Sequence, residues 1–255
     1  MKLHSNIHPT SGFTLVEMMI SIVIVGVLTG AIYETYENQQ RAYLRQELRS
    51  DMHQNARTGL YFLKKDIRMA GYDPTEDAQA SILVAAIADL EFEVDADGSG
   101  VIGDGSREWV QYALTEDNNG DGMADSFPCR LGRAYKSNAG SSGLQPVADY
   151  AEALEFCYIL DDGTATTSAD EPERIRSVYV SVLMRTAVTV KGHRNANVQY
   201  RPASCDLVLT PDWTTDGSSS RPQSHWGPFN DSFQRSFVIS KIRCRNMGLN
   251  QQEAW

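Results

Sequence analysis

From Phe13 to Tyr33 almost every position is apolar, and the run is broken by one charge, Glu17. Roughly 20 apolar residues is the length at which a helix crosses a bilayer. An acid inside such a run costs about 2.5–3.5 kcal/mol or more at the bilayer centre, which marks Glu17 as a functional residue. The pattern then changes period. Leu44, Leu48, Met52, Ala56, Leu60, Leu63 and Ile67 recur at steps of three and four, while Arg41, Arg45, Glu47, Arg49, Asp51 and Arg57 occupy the other face. That is an amphipathic helix with one apolar stripe. No proline interrupts it before Pro74, Lys64, Lys65 and Arg68 suit its negative end, and Gly71 suits the position after it. At about 1.5 Å per residue, a continuous helix over 13–70 would be roughly 85 Å long.

Beyond Pro74 the period shortens to two. Leu90, Phe92 and Val94 alternate with Glu91 and Glu93, and Trp109–Leu114 reads as their partner. Further strands are expected at Arg130–Tyr135, Leu154–Leu160, around Val178, Val180, Val182 and Met184, and at Ser236–Arg243, with a Gly/Ser loop at 138–143 and a long Pro/Ser/Gly-rich loop at 210–230. The strands need an apolar partner layer, and the stripe of the helix supplies one. The expected organisation is a leader at 1–12, an apolar helix at 13–33, its amphipathic continuation at 34–70, and a β-rich head at 71–255. The fold class is α+β, a helix laid on an antiparallel sheet.

Charge adds orientation and excludes a partner class. The net charge of −10 over 255 residues argues against nucleic acid and is compatible with cation binding. Lys2 is the sole Lys or Arg before Arg41, so the positive-inside preference places the short leader in the cytoplasm and the remainder across the membrane. Cys129, Cys157, Cys205 and Cys244 would then lie in an oxidising compartment. An even count allows two disulfides. Sequential neighbours suggest Cys129–Cys157 and Cys205–Cys244, with buried free thiols as the alternative. Gly26 and Gly30 form a small-xxx-small pair, read equally as a helix-contact face or as ordinary glycine in a membrane helix.

The string Gly12-Phe13-Thr14-Leu15-Val16-Glu17 before the apolar run resembles the N-terminus of type IV prepilins and type II secretion pseudopilins. The resemblance implies the pilin fold, cleavage between Gly12 and Phe13 by a membrane-embedded prepilin peptidase, and N-methylation of Phe13. It also implies that Glu17 meets the terminal amine of a neighbouring subunit and sets register. Asp66–Pro74 and the tail Phe237–Asn246 resemble the helix exit and last strand of PilW-type minor pilins, with the J-type secretion pseudopilin as close rival. Such minor pilins wait in the inner membrane with a periplasmic head, join other minor and major pilins in the pilus, and can carry a large tip adhesin.

Two acidic loops carry the remaining chemistry. In Asp117-Asn118-Asn119-Gly120-Asp121-Gly122-Met123-Ala124-Asp125, oxygens from Asp117, Asn119, Asp121 and Asp125, with the Met123 carbonyl, match the first nine places of an EF-hand-type calcium loop. Pro128 stands where that loop needs its bidentate Glu. In Asp95-Ala96-Asp97-Gly98-Ser99-Gly100-Val101, Asp95, Asp97, Ser99 and the Val101 carbonyl are candidate ligands, with Asp104 or Glu108 to close the shell. Each loop reads alternatively as an Asp/Asn/Gly turn without metal. A calcium-dependent adhesive head is thus a rival reading of another class. No G-x-S-x-G, H-E-x-x-H or P-loop string occurs, and His53, His193 and His225 sit among polar neighbours, so an enzyme is not expected.

Overall fold

The computed structural model describes residues 12–105, 107–137, 140–208 and 225–248. The chain separates into two units, one ending at Glu47 and one beginning at Leu48. The described part of the first unit is helical from Leu15, within the helix α1 (Leu15–Ile67). Its apolar side chains are exposed: Val16, Ile22, Val27 and Ile32 are each more than 60% exposed. Ser21 and Thr35 return their hydroxyls to the carbonyls of Glu17 and Ala31, so these two hydroxyls are satisfied locally. Leu44, expected in the buried stripe, is 54% exposed.

In the second unit the stripe is realised. Met52, Ala56, Leu60, Leu63 and Ile67 are buried, and Leu63 and Ile67 have no exposed surface. Full burial of such side chains contributes about 1.5–3 kcal/mol each. Gly59 belongs to the same face: a Cβ there would lie 2.9 Å from Leu131 Cδ2 and 3.2 Å from Ala148 Cβ, so the helix approaches the strands where it has no side chain. Asp66 anchors the end of the helix. It accepts a 2.6 Å hydrogen bond from the Tyr112 hydroxyl and pairs with Arg133. After Ile67 the chain turns, and Gly71 takes φ +71, as its predicted position after the helix requires.

The strands are β1 (Ile82–Ala85), β2 (Leu90–Glu93), β3 (Trp109–Leu114), β4 (Arg130–Ser137), β5 (Gly140–Ser141), β6 (Gln145–Asp149), β7 (Ala151–Leu160), β8 (Ala165–Thr166), β9 (Ile175–Arg185) and β10 (Arg235–Arg243), with a short helix α2 (Ser204–Leu207). They form two antiparallel sheets where the sequence suggested one. The first runs β1-β2-β3-β4-β5 with β6 also on β4, and the second runs β10-β9-β7-β8. The chain passes between them at Tyr150, whose φ of +58 breaks one extended run into β6 and β7. The α+β architecture of a long N-terminal helix with antiparallel sheets is the one expected. One core joins Leu63 and Ile67 of the helix, Leu90, Tyr112 and Leu131 of the first sheet, and Phe156, Tyr158 and Val180 of the second.

The other face of the second sheet carries a smaller core of Ala153, Leu183 and Trp226, with Met123, Tyr200, Phe229 and Phe237 packed on it. Trp226 meets Phe237 edge-on at 5.7 Å. The aromatic residues of the long loop are therefore core on this side, except Trp213, which lies outside the described residues.

Candidate functional site

Three regions hold the residues singled out from the sequence. The first is the start of α1. The Thr14 backbone N–H and hydroxyl both donate to Glu17 Oε2 at 3.0 Å, and the Glu17 N–H donates to Thr14 Oγ1 at 3.3 Å. This is a reciprocal capping box, which satisfies donors that a helix start leaves open. Its spacing, Thr-x-x-Glu, stood in the sequence beside the residues read for processing. Glu17 thus has a role within its own chain, fixing where the helix begins. Phe13, next to the box, is 84% exposed, and Gly12 precedes it outside the helix. Residues 1–11 of the leader expected at 1–12 lie outside the described residues. An 18-residue window of α1 has mean hydropathy 2.3 with none of it buried, long and apolar enough to cross a membrane. Gly26 and Gly30 face open space.

The second and third regions are the acidic loops, which close successive hairpins at opposite ends of β3. In the β2–β3 loop, Asp95 Oδ1 accepts from the N–H groups of Gly98 at 2.8 Å and Ser99 at 3.1 Å, and Oδ2 from Gly100 at 3.0 Å. Asp97 Oδ1 accepts from Ser99 N–H at 3.0 Å. The Ser99 hydroxyl lies 3.2 Å from the Val101 carbonyl and 3.1 Å from Asp104 Oδ1. The hairpin returns Glu108 opposite Val94, whose N–H donates to the Glu108 carbonyl at 2.8 Å. Glu108 Oε2 accepts from Gly103 and Gly105 N–H. Among the described residues, Asp95, Asp97 and Glu108 form the group whose acid oxygens converge, each within 4.8 Å of the others.

The β3–β4 loop repeats the same local fold. Asp117 takes the N–H groups of Gly120 at 2.8 Å and Gly122 at 2.9 Å, Asn119 takes that of Asp121, Asp121 that of Met123, and Asp125 that of Asn118. Burial raises the Asp117 pKa above the ordinary carboxylate value, and the nearby Asp121 charge adds to the rise. This loop is also fastened to the second sheet. Leu154 N–H donates to the Gly122 carbonyl and Ala124 N–H to the Glu152 carbonyl, both sides of a Met123–Ala153 bridge.

The expected disulfides are not formed. The reason is the pleat of β7. Leu154, Phe156 and Tyr158 enter the main core together with Cys129 and Cys244, whereas Cys157 points to the face where Ser204 of α2 donates to Glu155. Each predicted pair, Cys129–Cys157 and Cys205–Cys244, is therefore divided between the two faces of the second sheet. Burial pushes the Cys157 and Cys244 thiols up to about 12 and also raises Cys129, which keeps them protonated at neutral pH.

Two charged clusters went unread in the sequence. Arg235, with no exposed side-chain surface, grips Glu152 and makes paired 2.6 Å bonds to Asp231 over the Phe229 ring, which ties the segment before β10 to β7. Arg68, Arg176, Lys241, Arg243 and Arg245 line one open groove on an otherwise acidic chain. Both assemble residues far apart in sequence, and only the basic residues of the final strand hinted at either.

Residues 8–33 match the prokaryotic N-terminal methylation motif. The match covers the capping box, the Gly12–Phe13 junction and the uncovered apolar helix. No curated protein matches the chain. Among solved structures, a type IV-like pilin from Thermus thermophilus is similar over 76% of this chain and 96% of its own, at 14% identity and a TM-score of 0.44.

Proposed function

We propose that this protein is a minor pilin of a bacterial type IV pilus, a structural subunit and not an enzyme. The observation that carries the reading is the apolar helix beginning at the methylation motif, of which an 18-residue stretch at hydropathy 2.3 is not buried among the described residues. Exposed apolar surface on this scale requires lipid or the helices of other subunits. Prepilin peptidase would cut after Gly12 and leave a methylated Phe13 amine one helical turn from Glu17. In hydrocarbon each of these charges offsets the other's burial cost, within a subunit or between neighbours. The protein would wait in the inner membrane with its head in the periplasm. It would then enter the pilus with major and other minor pilins in an initiating or tip complex, where a large tip adhesin is a further partner. The PilW-like helix exit and last strand favour the pilus over the secretion machine.

Deleting the gene and counting surface pili while assaying secreted proteins tests the reading. Lost pili with normal secretion is the expected result, and normal pili with lost secretion would assign the chain to a J-type pseudopilin. Glu17→Val should leave membrane insertion intact and reduce recovery in sheared pili. Recovery equal to wild type would remove Glu17 from assembly.

A further inference from the structure

We infer that the β2–β3 loop is a calcium site whose protein ligands are Asp95, Asp97 and Glu108. The inference concerns the head alone and does not depend on the pilin reading. Three carboxylates whose oxygens lie within 4.8 Å of one another match the spacing across a cation held at about 2.3–2.6 Å from each oxygen. An acidic cluster alone would be a solvated loop, but two of these acids are not solvated: Asp95 and Glu108 have no exposed surface. Their surroundings account for all but one of the four oxygens. Both oxygens of Asp95 and Oε2 of Glu108 are met by backbone N–H groups of the loop. Glu108 Oε1 is buried without a hydrogen-bond partner.

That oxygen is aimed into the cluster. A Cβ on Gly105 would sit 2.3 Å from Glu108 Oε1 and 2.8 Å from Asp97 Oδ2, so both oxygens flank the same backbone and Gly105 is the residue that leaves room between them. Among the described residues, no Lys or Arg forms an ion pair with any of the three acids. Gathering three carboxylates, two of them desolvated, is costly unless a positive charge joins them. An all-oxygen anionic set delivered by an irregular loop suits calcium, since magnesium demands near-ideal octahedral geometry and sheds its water reluctantly. The closing ligand is Glu108, delivered by the returning strand, where the linear motif would have placed Ser106.

Full-length protein in detergent micelles, freed of metal with a chelator and titrated calorimetrically with calcium chloride, tests the assignment. Glu108→Gln keeps the shape of the side chain and removes its charge. Asp97→Asn alters an exposed side chain, so its folding is secure if Glu108→Gln proves unstable. Each should weaken one calcium site at least ~10-fold, the lower bound seen when even an outer-shell partner is lost. An Asp117→Asn/Asp121→Asn double variant should keep that site at wild-type affinity. Absence of calcium binding by the wild type, or unchanged affinity in both single variants, would overturn the assignment.

Discussion

The two acidic loops begin alike and end differently. Asp95 and Asp117 each gather the N–H groups of the residues three and five positions on, and Asp97 and Asn119 each take the N–H two positions on. Alternating acids with a glycine at the sixth place thus specify one local fold twice. The returning strand decides how each loop is completed. The β2–β3 hairpin returns Glu108 beside Asp95, with one buried oxygen unmet. The β3–β4 hairpin sets Thr115 against Arg130, so its returning chain brings Phe127, Pro128 and Cys129, which carry no acid. Its loop instead bonds to the edge of β7 through Gly122 and Ala124. A calcium-type signature in sequence therefore reports a turn. On the proposed assignment, tertiary delivery of one more residue makes such a turn a cation site in one hairpin and leaves it a clip between sheets in the other.

The largest effect that would break this contrast is expected from glycine replacement in the clip. Gly122 has φ +84, and a Cβ there would lie 2.3 Å from the Leu154 carbonyl oxygen, a main-chain atom that cannot step aside. Gly122→Ala should cost about 3 kcal/mol or more, from left-handed strain together with overpacking. Gly120 has φ +72 but open space around it, so Gly120→Ala should cost about 1–2 kcal/mol from backbone strain alone. Urea unfolding of both variants measures the difference. Equal costs would mean that docking on β7 contributes nothing and that the loop is a plain turn.

Gly105→Ala addresses the other loop. Gly105 has no left-handed φ to lose, and its new Cβ would meet side-chain oxygens of Glu108 and Asp97. We expect the loss of calcium response to exceed the loss of fold. In wild type, calcium at 100 times its dissociation constant should stabilise the head by about 2.7 kcal/mol. In Gly105→Ala that gain should disappear, while Gly120→Ala should keep it. Thermal midpoints with calcium and with chelator report both. A wild-type midpoint indifferent to chelator would leave the two loops functionally equal.

The ease with which each feature is read from sequence tracks the range of the interaction behind it. The alternation of Leu90, Phe92 and Val94 and the run Trp109–Leu114 located β2 and β3, because one face of each strand is buried and the pattern is local. The stripe from Met52 to Ile67 was equally visible, and the Thr14–Glu17 capping box was present as a three-residue spacing. β6, Gln145–Asp149, was not: its Gln, Pro and Asp carry no alternation, and pairing with β4 holds it as a strand. The division into two sheets rests on Tyr150, a residue type with no preference for positive φ. The cysteine pairing failed for the same reason, since it requires knowing which face of β7 each thiol takes. Glu108 stood in the sequence as a possible closing residue beside Asp104, and only the hairpin register separates them.

The smallest effect sharpens the contrast through pH. The Asp117 carboxyl has its folded pKa raised, chiefly by burial and less by the Asp121 charge. A carboxyl raised in this way holds its proton more tightly in the folded chain than in the unfolded one. Stability contributed by Asp117 is therefore greatest at acid pH and declines as pH rises from the ordinary Asp value, about 3.9, through the raised one. Above both it is constant. Solvent screens a partly exposed group, so the slope should be shallow. Asp117→Asn should flatten it, at the expense of one accepted N–H bond, and should do so equally with calcium or chelator present. A slope that appears only with chelator would mean that a cation normally masks this carboxylate, and the clip would then be a second site.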